Sequence, residues 1–492
     1  MNPSLNFRKK LIYGLAIVFL FGTMYGYTSW LGEVKKSRDL GEAAIGQIDT
    51  GGFMMKLFLL GGFRGIVADI LWLRAEEHKR DHDWDRLKST VDLITKLQPH
   101  FLSIWTFQGW NLAYNVSVEW DAPEDKYEWI KQGIKFVQEG VRKNQHSPDL
   151  LWDTAWFYYH KIGFADEAII LRRLFRDDED ESFKTYVDPE SGQSVVGDDN
   201  FKLGYGWFSR AVALVDQGEN RVISGTSEDI QYVDPTPQRK GRPDDIAFRS
   251  MPAHGQTRYA AGLEKMSIYG IPARFGELAK SEWAKSLNEW VKFGEHVYMS
   301  HNEIRRPDGS VGRDEIRLDD STNPERFSKL TENAKYWTAR WSDQMNYRYW
   351  KDRCQAEMTN NGVKARSLFY EGTVAYKTGD FVEAAAKFKE GLELWKIVLN
   401  DFQWYRDDDL NKKDTGLIAW RYKRVLSKLG KPMPDNFPFK ELLAGAENDK
   451  TLDPFDVLEM IGVVGAESSP GTGSTATGAS RASGAIPPTA PK

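Results

Sequence analysis

The pattern of apolar and polar positions opens on a run without charge: between Lys10 and Glu33 no Asp, Glu, Lys or Arg occurs. As a helix, Leu11–Leu31 would span roughly 30 Å, the thickness of a bilayer's hydrocarbon core. Tyr13 near one end, and Tyr25, Tyr27 and Trp30 near the other, suit the two interfaces. The run is too long for the apolar part of a usual signal peptide, and no A-x-A-like cleavage site follows. The pattern therefore predicts a tail at 1–10 and a lipid-contacting transmembrane anchor at 11–32. Arg8, Lys9 and Lys10 precede the run while Lys35, Lys36 and Arg38 follow it, so the flanking charges tie. The short tail, charged up to the apolar run, resembles a signal anchor. It predicts a single-pass inner-membrane protein with a cytoplasmic N-terminus and a large extracytoplasmic domain. Gly22 and Gly26 form a G-x-x-x-G spacing, which allows a homodimer through close helix approach; plain lipid exposure is the alternative.

A second apolar stretch, Phe53–Leu73, carries Lys56, Arg64 and Asp69 and is broken by Gly61, Gly62 and Gly65. Charges at mid-membrane are costly, so it predicts a linker or amphipathic segment at 33–65 leading into a first helical hairpin. Beyond it helical periodicity dominates. Leu368 is followed by Gly372, then Gly379 and Phe381, then Ala384 twelve residues after Gly372 and Phe388 four later. Upstream, Leu71, Ala75, Trp84, Leu87 and Pro99 keep a like spacing, and Trp105 and Gly109 follow Leu71 and Ala75 by 34 residues. Trp152 and Trp156 open another unit, with Ala168 twelve residues after Trp156.

These spacings resemble the tetratricopeptide repeat. The resemblance covers residues 66–175 and a unit at 365–396, and departs where Lys396 stands in place of a closing proline. It implies antiparallel helix pairs that cross closely at small residues such as Ala75, Gly109, Gly372 and Ala384, with Leu and aromatic side chains filling the grooves. The order FRGIVADILWLRAEEHKRDHDW, LQPHFLSIWTFQGWNLAYN, LLWDTAWFYYHKIG is also similar to uncharacterised bacterial membrane-anchored proteins, some labelled "iron responsive element". No residue pattern supports iron chemistry. The fold class expected is mainly α: a transmembrane helix, then a tetratricopeptide-like helical domain with irregular loop insertions. Residues 176–322 read as an irregular helical insertion, with a helix at Ala273–Tyr298. In 323–464, one long helix is expected from about Glu325 to Met358 and another at Asp414–Leu429. A tail dominated by Ala, Gly, Ser, Thr and Pro at 465–492 predicts disorder.

Composition narrows the function classes. A net charge of -5 without a Lys/Arg-rich block excludes a nucleic-acid footprint. The 18 Trp, 20 Tyr and 26 Phe read as filling between packed helices, with a sugar-stacking surface as the alternative. Cys354, the one cysteine, reads as a buried small hydrophobe. His78 and His82 lie four apart but lack the H-E-x-x-H arrangement and a third ligand. The acidic runs Asp177–Glu181 and Asp407–Asp409 lack the alternating ligands of a calcium loop and read as solvated. Asn115-Val-Ser117 matches a glycosylation acceptor by coincidence inside a helical core. No G-x-S-x-G or histidine triad signature occurs, so no catalytic, cofactor-binding or metal residue is assigned and no cofactor is expected. The expected function is a non-catalytic, membrane-anchored scaffold for unknown protein partners. The alternatives are an envelope enzyme acting on glycans or peptides through residues 176–360, or a structural envelope component.

Overall fold

Paired helices carry the chain, which is mainly α. The computed structural model describes residue 23 and residues 64–219, 245–269, 272–305 and 309–448. Two compact units divide after Ile104, inside the 66–175 block. In the first, α1 (Arg64–Arg80) and α2 (Trp84–Leu97) form a hairpin that fully buries Ala75, Leu87, Val91 and Ile94. The Asp83 carboxylate accepts from the Arg86 backbone N–H at 3.2 Å and so starts α2. Leu71 is half-buried and Pro99 buried just beyond α2.

In the second unit, α3 (Leu102–Trp110) widens into a π turn at Asn111–Val116 and is followed by α4 (Pro123–Lys143). The same form recurs in α5 (Pro148–Trp156), which continues through a π turn at Phe157–Ile162 before α6 (Ala168–Asp177). A Cβ at Gly133 of α4 would lie 2.9 Å from the Gly109 carbonyl oxygen. Only paired glycines let these backbones approach so far. Trp105 is buried against Gly140 and lies 4.9 Å from Phe136. A hairpin, β1 (Thr185–Val187) with β2 (Ser194–Val196), then precedes α7 (Asn200–Asp216).

Residues 176–322 are less irregular than the sequence suggests. They hold α7, α8 (Asp245–Leu263) and α9 (Glu277–Glu295), packed in succession, with Gly255 of α8 against the Tyr205 backbone of α7. α9 falls within the helix expected at Ala273–Tyr298, whereas polar side chains on the contact faces of α8 mask its pattern. Glu282 is buried, yet accepts from Gln256 Nε2 at 2.6 Å and pairs with Lys202 at 3.3 Å. Short strands β3 (Tyr298–Met299), β4 (Ile304–Arg305), β5 (Val311–Gly312) and β6 (Glu315–Ile316) pair antiparallel, β3 with β6 and β4 with β5.

The single helix expected from Glu325 to Met358 is instead α10 (Pro324–Ser328), α11 (Glu332–Gln344) and α12 (Tyr347–Glu357). Thr331 caps α11 through Ala334 N–H at 3.1 Å, and Asn346, left-handed at φ 50°, turns the chain before α12. Then come α13 (Asn360–Lys377), α14 (Phe381–Asp401), α15 (Gln403–Arg406), α16 (Asp409–Lys428) and α17 (Lys440–Asn448). Between α13 and α14, Gly379 takes φ 83°, a left-handed conformation that glycine adopts without strain. The Asp380 carboxylate caps α14 at 2.9 Å. A Cβ on Gly372 would meet the Phe388 ring at 3.0 Å; Leu368, Ala384 and Phe388 are buried and Phe381 lies 5.6 Å from Tyr376.

The expected single-pass membrane localisation is corrected. Among the described residues no helix is long and apolar enough to cross a membrane. The described part of the second apolar stretch lies in α1, whose Asp69, Arg74, Glu76, Glu77, Lys79 and Arg80 would each be costly in hydrocarbon. Residues 11–32 apart from Thr23, with the Gly22 and Gly26 contact, lie outside the described residues, as do the tail at 465–492 and most of the 33–65 segment.

Two measurements check this packing. Gly133→Ala pushes a methyl into a backbone carbonyl and is expected to cost about 1–3 kcal/mol in urea unfolding. Gly445→Ala, in α17 with nothing within 4 Å, is expected to gain roughly 0.5–1 kcal/mol. The second concerns His254, set edge-on to Trp290 and Trp350 at 4.9 and 5.3 Å, where burial, helped by Arg258, pushes it down to about 3. An unfolded histidine takes up its proton near pH ~6.5, so below that the unfolded chain binds more protons and stability falls with pH. His254→Gln removes this contribution. Its deficit against the natural chain is expected to shrink by about 2 kcal/mol between pH ~6.5 and ~4.5.

Candidate functional site

The residues brought together most unusually are aromatic, on α3, α5 and the π turns that extend them. Trp152, Trp156 and His160 follow one another at four-residue intervals, and their rings stack with centroids 5.0 and 4.8 Å apart and planes within 10° and 6°. On the neighbouring helix Trp110 stacks on Tyr114 at 4.3 Å. The two rows meet where Tyr114 Oη and His160 Nδ1 lie 3.0 Å apart, residues separated by 46 positions. Trp110 and Trp156 stand 46 apart as well, so the two helices repeat the same arrangement. At the other end the Thr106 hydroxyl donates to Asp153 at 2.7 Å. Beyond His160, the ring of Phe164 lies 6.3 Å away and is 43% exposed.

This ladder is half open. Trp156 is 5% exposed, whereas Trp110, Tyr114, Trp152 and His160 are half-buried, so their edges reach solvent from a fixed wall. π turns are rare and recur at functional sites; here each lies at the ladder. Burial, then the neighbouring Lys161, holds His160 below its ordinary value, so the imidazole is neutral near pH ~7. Burial raises the Tyr114 phenol far above its usual range, so it stays protonated and can donate to His160. Lys161 lies 4.9 Å over the Tyr114 ring, and burial lowers its ammonium from the ordinary lysine value.

Of the residues singled out by spacing, Trp152 and Trp156 belong to the ladder. Gly109 stands at the α3–α4 crossing beside it, and Trp105 packs on α4. The π turn carries α5 on to Ile162, so Ala168 is the first, half-buried residue of α6, and Leu171 and Phe175 fill the interior instead. Leu71, Ala75, Leu87 and Pro99 lie in the first unit; Leu368, Gly372, Phe381, Ala384 and Phe388 lie in α13 and α14. The 46-residue offset was readable as W-x-x-x-Y followed by W-x-x-x-H, but was masked by the 34-residue register.

The acidic run at Asp177–Glu181 is more than a solvated loop. Asp178 accepts from Lys131 at 2.8 Å and Tyr127 at 2.8 Å, and Asp180 from Lys135 at 2.6 Å, which fastens the run to α4. Asp407 pairs with Arg406, Asp408 caps α16, and Asp409 reaches Lys412. His78 is on α1, but His82 lies in the following turn at φ 56°, so the two do not share a helix face. No group of three or more His, Cys, Asp or Glu gathers to hold a metal among the described residues. Cys354 is fully buried, and burial pushes its thiol up to about 12.

A second constellation lies within the 176–360 region and its neighbour α13. Arg366 donates through Nε at 3.0 Å and through a terminal nitrogen at 2.5 Å to the Glu357 carboxylate, and also to Tyr405 Oη at 2.8 Å. Its guanidinium stacks 4.3 Å over Trp395. Burial pushes Glu357 upward, but Arg366 outweighs it and holds the carboxyl below its ordinary range. Glu264, 3.9 Å from Arg366, is raised by burial. Both line a cleft with Trp283 and Phe275 that admits a group of about one water's size. A sugar ring or a peptide does not fit, and Glu357 is fully committed to its partners.

Arg366→Gln takes the bidentate partner from the buried Glu357, leaving it the Tyr405 hydrogen bond and the charge of Arg353, and is expected to cost about 3 kcal/mol, whereas the double variant Arg366→Met, Glu357→Gln recovers much of that loss. Thermal unfolding of the two variants side by side checks this.

Comparison of the sequence with known protein families finds no match, and comparison with curated proteins finds none either.

Proposed function

We propose that this chain is a non-catalytic, tetratricopeptide-like scaffold that holds an extended segment of a partner protein along the Trp110–Tyr114 and Trp152–Trp156–His160 ladder. The ladder carries the proposal. Five rings are held in fixed stacks by two neighbouring helices, and four of them reach solvent at their edges. A wall of this kind offers apolar area at little cost in conformational entropy, because its side chains are already ordered. Helix pairs packed side by side set their first helices along a common surface, the usual seat for an extended ligand in helical arrays. Tyr114, His160 and Lys161 add polar edges that would fix the register of the bound segment.

The test uses a photo-crosslinking amino acid placed at Tyr114 in the full chain within its own cells, with Glu139 on the exposed face of α4 as control. A discrete adduct mapping to one segment of one protein from position 114, and none from 139, is the expected result. Equal labelling from both positions sinks the proposal. So does hydrolysis of a glycan or peptide by the purified chain.

A further inference from the structure

Of the carboxylates beside the ladder, Asp153 accepts from Thr106 and Glu167 pairs with Lys126 at 2.5 Å, while Asp166 and Glu167 both favour the charge of Lys161. Two cations beside it form no ion pair among the described residues. Arg258 of α8 places its guanidinium 5.0 Å over the Phe164 ring and 5.9 Å over Trp350. Its Nε is buried without an acceptor, and no carboxylate lies within ion-pair distance of it among the described residues. Lys161, over Tyr114, likewise lacks an ion pair there. Phe164 links the two places, since its ring lies next to both Arg258 and His160. Two cations thus stand at this end of the ladder, Lys161 with Asp166 and Glu167 nearby and Arg258 with no carboxylate in ion-pair reach among the described residues.

We propose that this end of the ladder binds an acidic side chain of the partner segment, a carboxylate seated on the guanidinium edge of Arg258 while apolar neighbours lie along the aromatic edges. Aromatic rings cover faces of the guanidinium but do not satisfy its in-plane N–H groups; the Tyr159 hydroxyl lies beside one, and Nε has no acceptor. A buried donor without one is costly, and a carboxylate can accept two parallel N–H bonds in the plane of the fork. Lys161 adds attraction across the ladder without fixed geometry. The partner is thus an acidic, aromatic or apolar stretch of polypeptide, and a basic one is repelled. This rests on the ladder being a peptide-binding surface.

Calorimetric titration of the full chain with three synthetic dodecapeptides tests it: alternating Glu and Phe, alternating Gln and Phe, and alternating Lys and Phe. The Glu peptide is expected to bind at least about tenfold tighter than the Gln peptide, with the gap closing in high salt, and the Lys peptide weakest. Arg258→Gln is expected to reduce the Glu peptide to about the affinity the same variant has for the Gln peptide. Equal binding of the Glu and Gln peptides to the natural chain overturns the acidic site while the peptide surface stands. Failure of all three to bind removes both. The Glu–Gln comparison on the natural chain decides the matter even if Arg258→Gln unfolds.

Discussion

Close approach of helix backbones at glycine governs the second unit. Gly133 sits where any side chain would press on the Gly109 carbonyl, Gly140 where it would enter the Trp105 indole, and Gly255 where it would meet the Tyr205 backbone. At Gly140 the missing Cβ makes room for an indole, while at Gly133 and Gly255 it lets the backbone of the neighbouring helix itself come close. Where a ring is the neighbour, glycine on one helix is matched by an aromatic side chain on the next. Gly372 and Gly391 repeat the arrangement against Phe388 and Phe369. The aromatic ladder is a by-product of the same geometry, because helices held this close bring Tyr114 within reach of His160.

Buried polarity does the second part of the work. The interior between α8, α9, α12, α13 and α14 is crossed by networks rather than being purely apolar. Glu357 shares its charge with Arg366 and Tyr405, and Asp319 accepts from Tyr347 at 2.6 Å and pairs with Lys351. Such pairs add little net stability over apolar packing, but each partner makes the other indispensable. They fix which of several similar helices lies against which, a need that grows when many helices present interchangeable aromatic faces.

Much of the helical plan was legible because it depends on local spacing. Leu368, Gly372, Ala384 and Phe388 recur at intervals that a single helix pair dictates, and Gly379–Asp380 marks the turn. Three things were not legible. The break at Asn346 depends on one residue taking a left-handed conformation inside an otherwise continuous stripe, and Leu330, Trp337, Trp341 and Met345 give no sign of it. The helix at 245–263 carries Gln256 on a buried face against Glu282, and a polar residue reads as surface until its partner is known. The ladder was hidden by its offset: a π turn, the 21-residue α4 and two connections lie between Trp110 and Trp156, so equivalent residues fall 46 apart rather than 34, and Ala168 stands at the start of α6.

The strand-bearing segment after α6 has a consequence for how the array comes apart. The Phe183 carbonyl accepts from Gln138 of α4 at 3.0 Å and from Tyr158 in the turn beyond α5, while the Thr185 carbonyl accepts from Trp207 of α7 at 3.1 Å. Two adjacent stretches of backbone thus lace three helices from successive layers. Arrays that touch only through neighbours melt piecemeal from their ends. Here the lacing makes α4, α5 and α7 open together, so their amide protons should exchange with solvent as one block while the terminal helices fray independently.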